Sequence, residues 1–258
     1  MLVKNFYNIL NKYFNFRKQE KWDNNGKQII FKKEQVKNIY ICLDLDEINV
    51  AEAINQNCNV IITHHPFFFA KKKQELKLEF KNNVYKELLK HKISVISLHT
   101  CFDKDKKFGI NNYLAKKLNI EKGQTSYDNY SLLLRDANIK NIITESEKYN
   151  YLSNALIYNN NNIKNTESIF TQTILGSGAC GYLVNKMKKN SLLLTGEIKW
   201  NELIVAKNKN ITVINFGHNM EYAFIEASQI FLLEKFKSNE INEIFLDKFI
   251  FKGKPYSN

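Results

Sequence analysis

At 258 residues, with 44% hydrophobic and 25% charged side chains, the chain has an ordinary globular composition, which excludes a disordered or fibrous class and allows one or two domains. No apolar run approaches the ~18 residues needed to span a bilayer, and the opening "MLVKNFYNILNKYFNF" lacks a signal peptide's continuous apolar stretch. A net charge of +12 raises nucleic acid as a partner, but the lysines are scattered among abundant Asn, Ile, Phe and Tyr, as A/T-rich coding would leave them, so such binding is not expected.

A cytoplasmic protein with no membrane partner is therefore expected. Cys42, Cys58, Cys101 and Cys180 lie far apart without a C-x-x-C pair, which points to reduced, buried thiols rather than a disulfide framework.

In chain order, the first element is a helix over residues 2–16, followed by a turn at Asn24-Asn25-Gly26. "KNIYICLDLD" reads as a strand, "EINVAEAINQN" as a helix and "NVIIT" as the next strand. A polar connection over 71–80 leads to a helix through "NNVYKELLKHK", the strand "ISVISL" and the helix "GINNYLAKKLNI". Strands that are near-continuous apolar runs, alternating with helices, indicate an α/β fold whose largely parallel sheet is covered on both faces. Residues 126–170 are Asn-rich, with a low-complexity run at 159–165, and read as the start of a second, smaller α/β part with a long surface loop. The rhythm returns in "TQTILGSGACGYLVNKMKK", "SLLLTGEIKWNELIVAKNK" and a final strand, turn and long helix from Ile211. The aromatics Phe6, Tyr7, Tyr13, Phe14 and Phe231 are expected in the core; Phe67–Phe69 are core, a pocket wall or an oligomer contact.

The five histidines are unevenly placed. His91 ends a Lys-rich helix and is assigned to solvent. His64 and His65 follow one apolar strand, His99 another and His218 a third, so all four lie at C-terminal strand ends. In open α/β sheets those ends share one edge, where ligands bind. Asp103 lies four residues beyond His99, and Glu221 three beyond His218, a spacing that puts both groups on one helical face. Imidazoles with carboxylates suit Zn, Mn, Fe or Ni better than Mg or Ca. His64, His65, Asp103, His218 and Glu221, with or without His99, make five or six ligands, more than one four-coordinate ion needs, and two divalent ions bridged by a carboxylate would use them all. A lone strand-end histidine is more often a structural hydrogen-bonding group; the tandem pair with two acids shifts the reading to metal. The turn "GSGACG" (176–181), with Gly176, Ser177 and Gly178, either presents amides to an anion or is an ordinary connector. Glu197, in "TGE", either begins a helix or lines the same cleft.

The stretches "WDNNGKQI" (22–29), "IITHHPFFF" (61–69), "SLHTCFD" (97–103), "GSGAC" (176–180), "TGEIKWNE" (195–202) and "NFGHNMEYA" (215–223) together resemble the dinuclear-metal family called GTP cyclohydrolase 1 type 2, or Nif-three-like. The resemblance runs nearly end to end. It implies two metal ions on His64, His65, Asp103, His218 and Glu221, with Glu221 bridging and His99 beside them. It also implies two α/β parts, the second (126–211) inserted before the C-terminal strand–helix segment, so that 1–125 plus 212–258 form the metal-binding domain. A toroidal homohexamer is the implied assembly. Cys101 departs from the family pattern, where an Asn is usual, and a thiol lacks an amide's paired donor and acceptor.

Two functions follow as expectations. One is a metal-dependent hydrolase acting on a small nucleotide such as GTP, or on a phosphoester, with His99 as the catalytic acid or base and Gly176, Ser177, Gly178 and Glu197 binding substrate. The other is a non-catalytic metal-binding ring scaffold for a ligand, metal or protein partner.

Overall fold

The computed structural model describes residues 1–135, 137–158, 170–237 and 240–248; the low-complexity run at 159–165 lies outside the described residues. Strands β1 (Gly26–Ile29), β2 (Asn38–Cys42), β3 (Cys58–Thr63) and β4 (Ser94–Ser97) are followed by β5 (Lys122–Thr125), β6 (Leu132–Leu134) and β7 (Leu156–Tyr158). Then come β8 (Thr173–Gly176), β9 (Leu192–Thr195), β10 (Thr212–Asn215) and β11 (Ile244–Leu246). The fold is mixed α/β, with two compact units, Met1–Phe108 with Phe224–Lys248, and Gly109–Ala223.

The first unit holds a five-stranded sheet ordered β1-β4-β3-β2-β11. β4, β3, β2 and β11 run parallel, and β1 is antiparallel to β4. Ile39, Ile41, Ile61, Ile62 and Ile96 are fully buried, as a sheet covered on both faces requires. The opening helix, Val3–Phe14, buries Val3, Phe6, Leu10 and Phe14, a stripe at helical spacing. Of the expected core aromatics, Phe6, Phe14 and Phe231 are buried, while Tyr7 and Tyr13 are half-buried. Phe67 and Phe68 join the core; Phe69 does not.

The second unit holds a six-stranded sheet ordered β5-β6-β8-β9-β10-β7. Its central strands β8, β9 and β10 are parallel, with antiparallel strands on both flanks. The sequence reading divides the chain at 125/126 and 211/212, whereas the units divide at 108/109 and 223/224. The reason is pairing. β10 runs in register with β9, Thr212 to Leu192 through Asn215 to Thr195, and so carries the segment bearing His218 and Glu221 into the second unit. "GYLVN", after β8, forms a short 3-10 turn, Gly181–Asn185.

Three helices hand the chain to the next apolar segment by the same device. After Glu79–Lys90, Ile110–Lys117 and Trp200–Asn208, the second residue past the helix takes a left-handed backbone: Lys92 (φ 52°), Asn119 (φ 52°) and Asn210 (φ 52°). Ile93, Ile120 and Ile211 then donate back to Leu88, Ala115 and Ala206 carbonyls at 2.9, 2.9 and 2.8 Å. This closes a Schellman motif and aims the chain back along the sheet.

Candidate metal centre

In the first unit the tandem histidines prolong β3 by two residues. His64 N donates to Cys42 O (3.2 Å) and His65 N to Leu43 O (3.1 Å), so pairing with the β2 segment continues past the strand. The hydroxyls of Thr63 (2.7 Å) and Ser97 (3.3 Å) donate to His65 O and fix the backbone at the point where Pro66 ends the run. His64 is fully buried, and its Nδ1 donates to Leu98 O at 2.9 Å. Because a carbonyl only accepts, the proton sits on Nδ1 of the neutral ring and the lone pair on Nε2. That Nε2 lies 3.9 Å from Oδ2 of buried Asp103. A lone pair and a carboxylate oxygen facing each other at this range form the arrangement a cation would relieve.

His65 and His99 are held in the same manner. His65 Nδ1 lies 2.8 Å from Asp44 Oδ1, and His99 Nδ1 lies 2.8 Å from Asp23 Oδ1. Each carboxylate fixes one ring nitrogen as donor, and in a metal-binding histidine that device would present Nε2 to the ion. The three rings cluster, with centroids 5.0 Å (His64–His65), 4.9 Å (His64–His99) and 5.4 Å (His65–His99) apart. One nitrogen from each lies within 4.8 Å of the others. His99, expected as an acid or base, therefore stands within ligand range of the pair.

Asp23 is the centre of its own network. Its carboxylate accepts from His99, from Thr100 N (3.2 Å) and Oγ1 (2.5 Å), from Asn24 N (2.7 Å) and from Asn25 Nδ2 (2.6 Å). Burial pushes its pKa upward, but the hydrogen bonds and the charge of His99 outweigh that and leave it below the usual carboxylate value. Asn25 Oδ1 accepts from His99 N (2.5 Å) and from the Cys101 thiol (3.2 Å). Burial, then the nearby charges of Asp103 and Asp23, push that thiol well above its ordinary pKa. Cys101 is thus packed as a thiol donor to Asn25.

In the second unit, Gly217 (φ 79°) turns the chain from β10 into a 3-10 segment, His218–Tyr222, aided by its N–H donating to Asn215 Oδ1 at 3.0 Å. His218 Nδ1 lies 2.6 Å from Glu197 Oε1, and Nε2 lies 2.7 Å from Glu221 Oε2. With Glu197 accepting from Nδ1–H, the Nε2–Glu221 contact is where a cation would take the place of a proton. Glu197, expected at a helix start or in the substrate cleft, is placed to orient His218.

The glycine turn seats Glu221. Gly178 has φ +66°, and a Cβ there would overlap Glu221 Oε1, so this position excludes any side chain. Gly178 O accepts from Gly196 N (3.0 Å) and Glu197 N (2.9 Å), which ties the turn to the Glu197 segment. Ser177 N is taken by Asn111 Oδ1 (2.8 Å), and Cys180 and Gly181 N by Gly178 and Glu197 carbonyls, both at 3.0 Å. Gly176 packs where a Cβ would strike Cys180. The Ser177, Cys180 and Gly181 amides are thus engaged within the fold.

The donor set thus divides by unit. His64, His65, His99 and Asp103 come together in the first, and His218, Glu221, Glu197 and Gly178 in the second. Asp23 and Asp44 are the orienting residues that the sequence reading missed. Asp44 follows β2 and obeys the strand-end rule already used for the histidines. Asp23 precedes β1, and only the antiparallel direction of that strand brings it to the same edge.

A family model described as Duf34/NIF3 (NGG1p interacting factor 3) matches residues 1–249. A Mycoplasmopsis pulmonis protein named GTP cyclohydrolase 1 type 2 homolog is 30% identical over 230 residues, 84% of this chain and 88% of the relative. A Helicobacter pylori protein named GTP cyclohydrolase 1 type 2 is 32% identical over 225 residues, 84% of this chain and 85% of the relative. Among solved structures, reduced HcgD from Methanocaldococcus jannaschii is similar with a TM-score of 0.80 at 20% identity, covering 96% of this chain and 98% of that one. A Bacillus cereus protein related to NIF3 gives 0.79 at 15% identity, covering 100% and 99%. At those identities the structural likeness speaks to the fold alone.

Proposed function

Because the chain belongs to the Duf34/NIF3 family, we propose that it binds two divalent transition-metal ions and hydrolyses a nucleotide-type substrate. His64, His65, Asp103, His218 and Glu221 would hold the ions, with Glu221 as the shared carboxylate. The observation that carries this reading is the common mounting of His64, His65 and His99, each pinned through Nδ1, with one nitrogen of each ring within 4.8 Å of the others. Imidazole nitrogen with carboxylate oxygen suits Zn, Mn, Fe or Ni.

Bound ions would supply a water of lowered pKa and polarise the bond under attack. The chain's own part is to keep each ring in one tautomer, through Leu98 O, Asp44, Asp23 and Glu197. His99, backed by the Asp23 carboxylate, would take or return a proton. The relatives' names suggest GTP as the substrate; a phosphoester suits the same ligand set. A toroidal homohexamer belongs to the same reading. It is supported by the apolar side chains left exposed on β7 and the helix Trp200–Asn208, notably Leu156 (58%) and Trp200 (78%). Among the described residues no helix is long and apolar enough to cross a membrane. The four free, buried thiols accord with a cytoplasmic setting.

The scaffold reading keeps one observation in its favour. If His99 is taken as a third imidazole ligand, no group within that cluster is left to move a proton. Turnover of GTP and of a generic phosphodiester by metal-loaded protein, measured beside Glu221→Ala, separates the two. Hydrolysis is expected to fall by at least a hundredfold in the variant; equal background rates in both would leave the scaffold.

A further inference from the structure

Two aromatic side chains in the first unit stand in water beside His99, where core packing gives no reason for them. Trp22 is 61% exposed and Phe69 48% exposed, although Phe67 and Phe68 next to it are buried. Each stands edge-to-face against the His99 ring, with centroids 5.6 Å (Trp22) and 5.9 Å (Phe69) away. Wet indole and phenyl faces forgo the transfer free energy that burial would bring.

The chain nonetheless braces the backbone beside both. Asn24 Nδ2 donates to Phe68 O at 2.5 Å, and Phe68 N donates to Gln28 Oε1 at 3.0 Å. In the same turn Asp23 fixes the His99 ring and Asn25 its backbone. One stretch, 23–28, therefore ties His99 and the residue before Phe69 to the turn that directly follows Trp22. A surface loop under no binding demand gains little from such bracing.

We infer that Trp22 and Phe69 form the binding surface for a planar heteroaromatic ring held against His99, the nucleobase of the nucleotide in the reading above, on which this inference rests. Flat π-faces stack on any base, so the pair recognises the presence of a ring and discriminates weakly between bases. Trp22 and Phe69 are positioned to bind, and neither has a group to exchange protons.

The chain has two tryptophans, Trp22 and Trp200, so Trp200→Phe leaves Trp22 as the sole indole reporter. In that protein GMP is expected to quench the emission saturably, whereas ribose 5-phosphate, which lacks the ring, leaves it unchanged. By calorimetry, Trp22→Ala and Phe69→Ala are each expected to weaken GMP binding about tenfold or more. Phe69→Leu, which keeps apolar area without a π-face, should lose most of the same affinity. Equal binding of GMP and ribose 5-phosphate, or full GMP affinity in both alanine variants, overturns the inference. So does a fall in sedimentation mass for Phe69→Ala with GMP affinity unchanged, which would make this a contact between copies. Saturable, ring-dependent quenching in protein that hydrolyses nothing would uphold this surface while removing the hydrolase reading, and hydrolysis without quenching would do the reverse.

Discussion

Asp23 lies in the "WDNNGKQI" stretch that carries the resemblance, yet its role appears only in the fold. Five donors converge on its carboxylate, and the net effect is a depressed pKa. A depressed carboxylate stabilises the fold fully above its unfolded value of ~3.9, and that stabilisation disappears as pH falls through the lower folded value. Asp23→Asn is therefore expected to lose about 2 kcal/mol near neutral pH, the scale of hydrogen bonds to a charged group. The gap to the native chain should narrow as pH drops below ~4. Urea unfolding between pH 7 and pH 3 measures it, and a gap that stays constant over that range would show that the charge is not what matters. His99 itself was legible, since it follows an apolar strand as His64 and His218 do. Its partner was not, because Asp23 is 76 residues away and reaches it through a strand whose direction the sequence does not disclose. β1 runs antiparallel to β4, with Gly26 opposite Ser97, and that pairing alone sets the "WDNN" turn beside His99.

At the scale of elements, strands with strong apolar runs were readable and their flanking partners were not. β2, β3, β4, β9 and β10 announce themselves as buried β-branched and Leu-rich segments. β1 ("GKQI") and β5 ("KGQT") are polar or Gly-containing strands at sheet ends, and their existence is decided by pairing rather than local preference. The assignment of β10 shows the same limit. Its apolar pattern marks a strand, but nothing in that pattern says which sheet receives it. Helix ends, by contrast, follow local rules. Asn119 holds a left-handed backbone after the helix Ile110–Lys117, a conformation that costs ~1–2 kcal/mol for most residues and is tolerated by Asn and Gly. Asn119→Gly is thus expected to leave the unfolding midpoint nearly unchanged, and Asn119→Val to lower stability by at least ~1 kcal/mol. Equal effects of the two substitutions would refute the backbone argument.

Over the whole chain, the charge and the cysteines divide between composition and fold. The +12 charge is distributed without a recognition module, and the expectation of no nucleic-acid partner rests on that scatter. All four cysteines are free and buried. Burial, followed by neighbouring carboxylates, pushes Cys58 up to about 12 and raises Cys42 and Cys101 well above the ordinary thiol value. A thiol reagent at pH 8 should accordingly label the native protein slowly and all four sites promptly in denaturant. Fast labelling of the folded chain would mean that the cores open far more readily than their packing indicates. The metal-ligand candidates divide in the same way between what sequence shows and what folding must supply. Strand-end placement identifies His64, His65, His99 and His218, while the tautomer-fixing partners Leu98 O, Asp44, Asp23 and Glu197 appear only in three dimensions.

Anomalous scattering at transition-metal absorption edges, on crystals of protein purified without chelator, tests the central claim most directly. Two peaks are predicted, ~3.5–4 Å apart. Imidazole nitrogens of His64, His65 and His218 and oxygens of Asp103 and Glu221 should lie ~2.0–2.2 Å from them. A map with no such peak at these side chains, in protein that is folded and never exposed to a competing ligand, would contradict it.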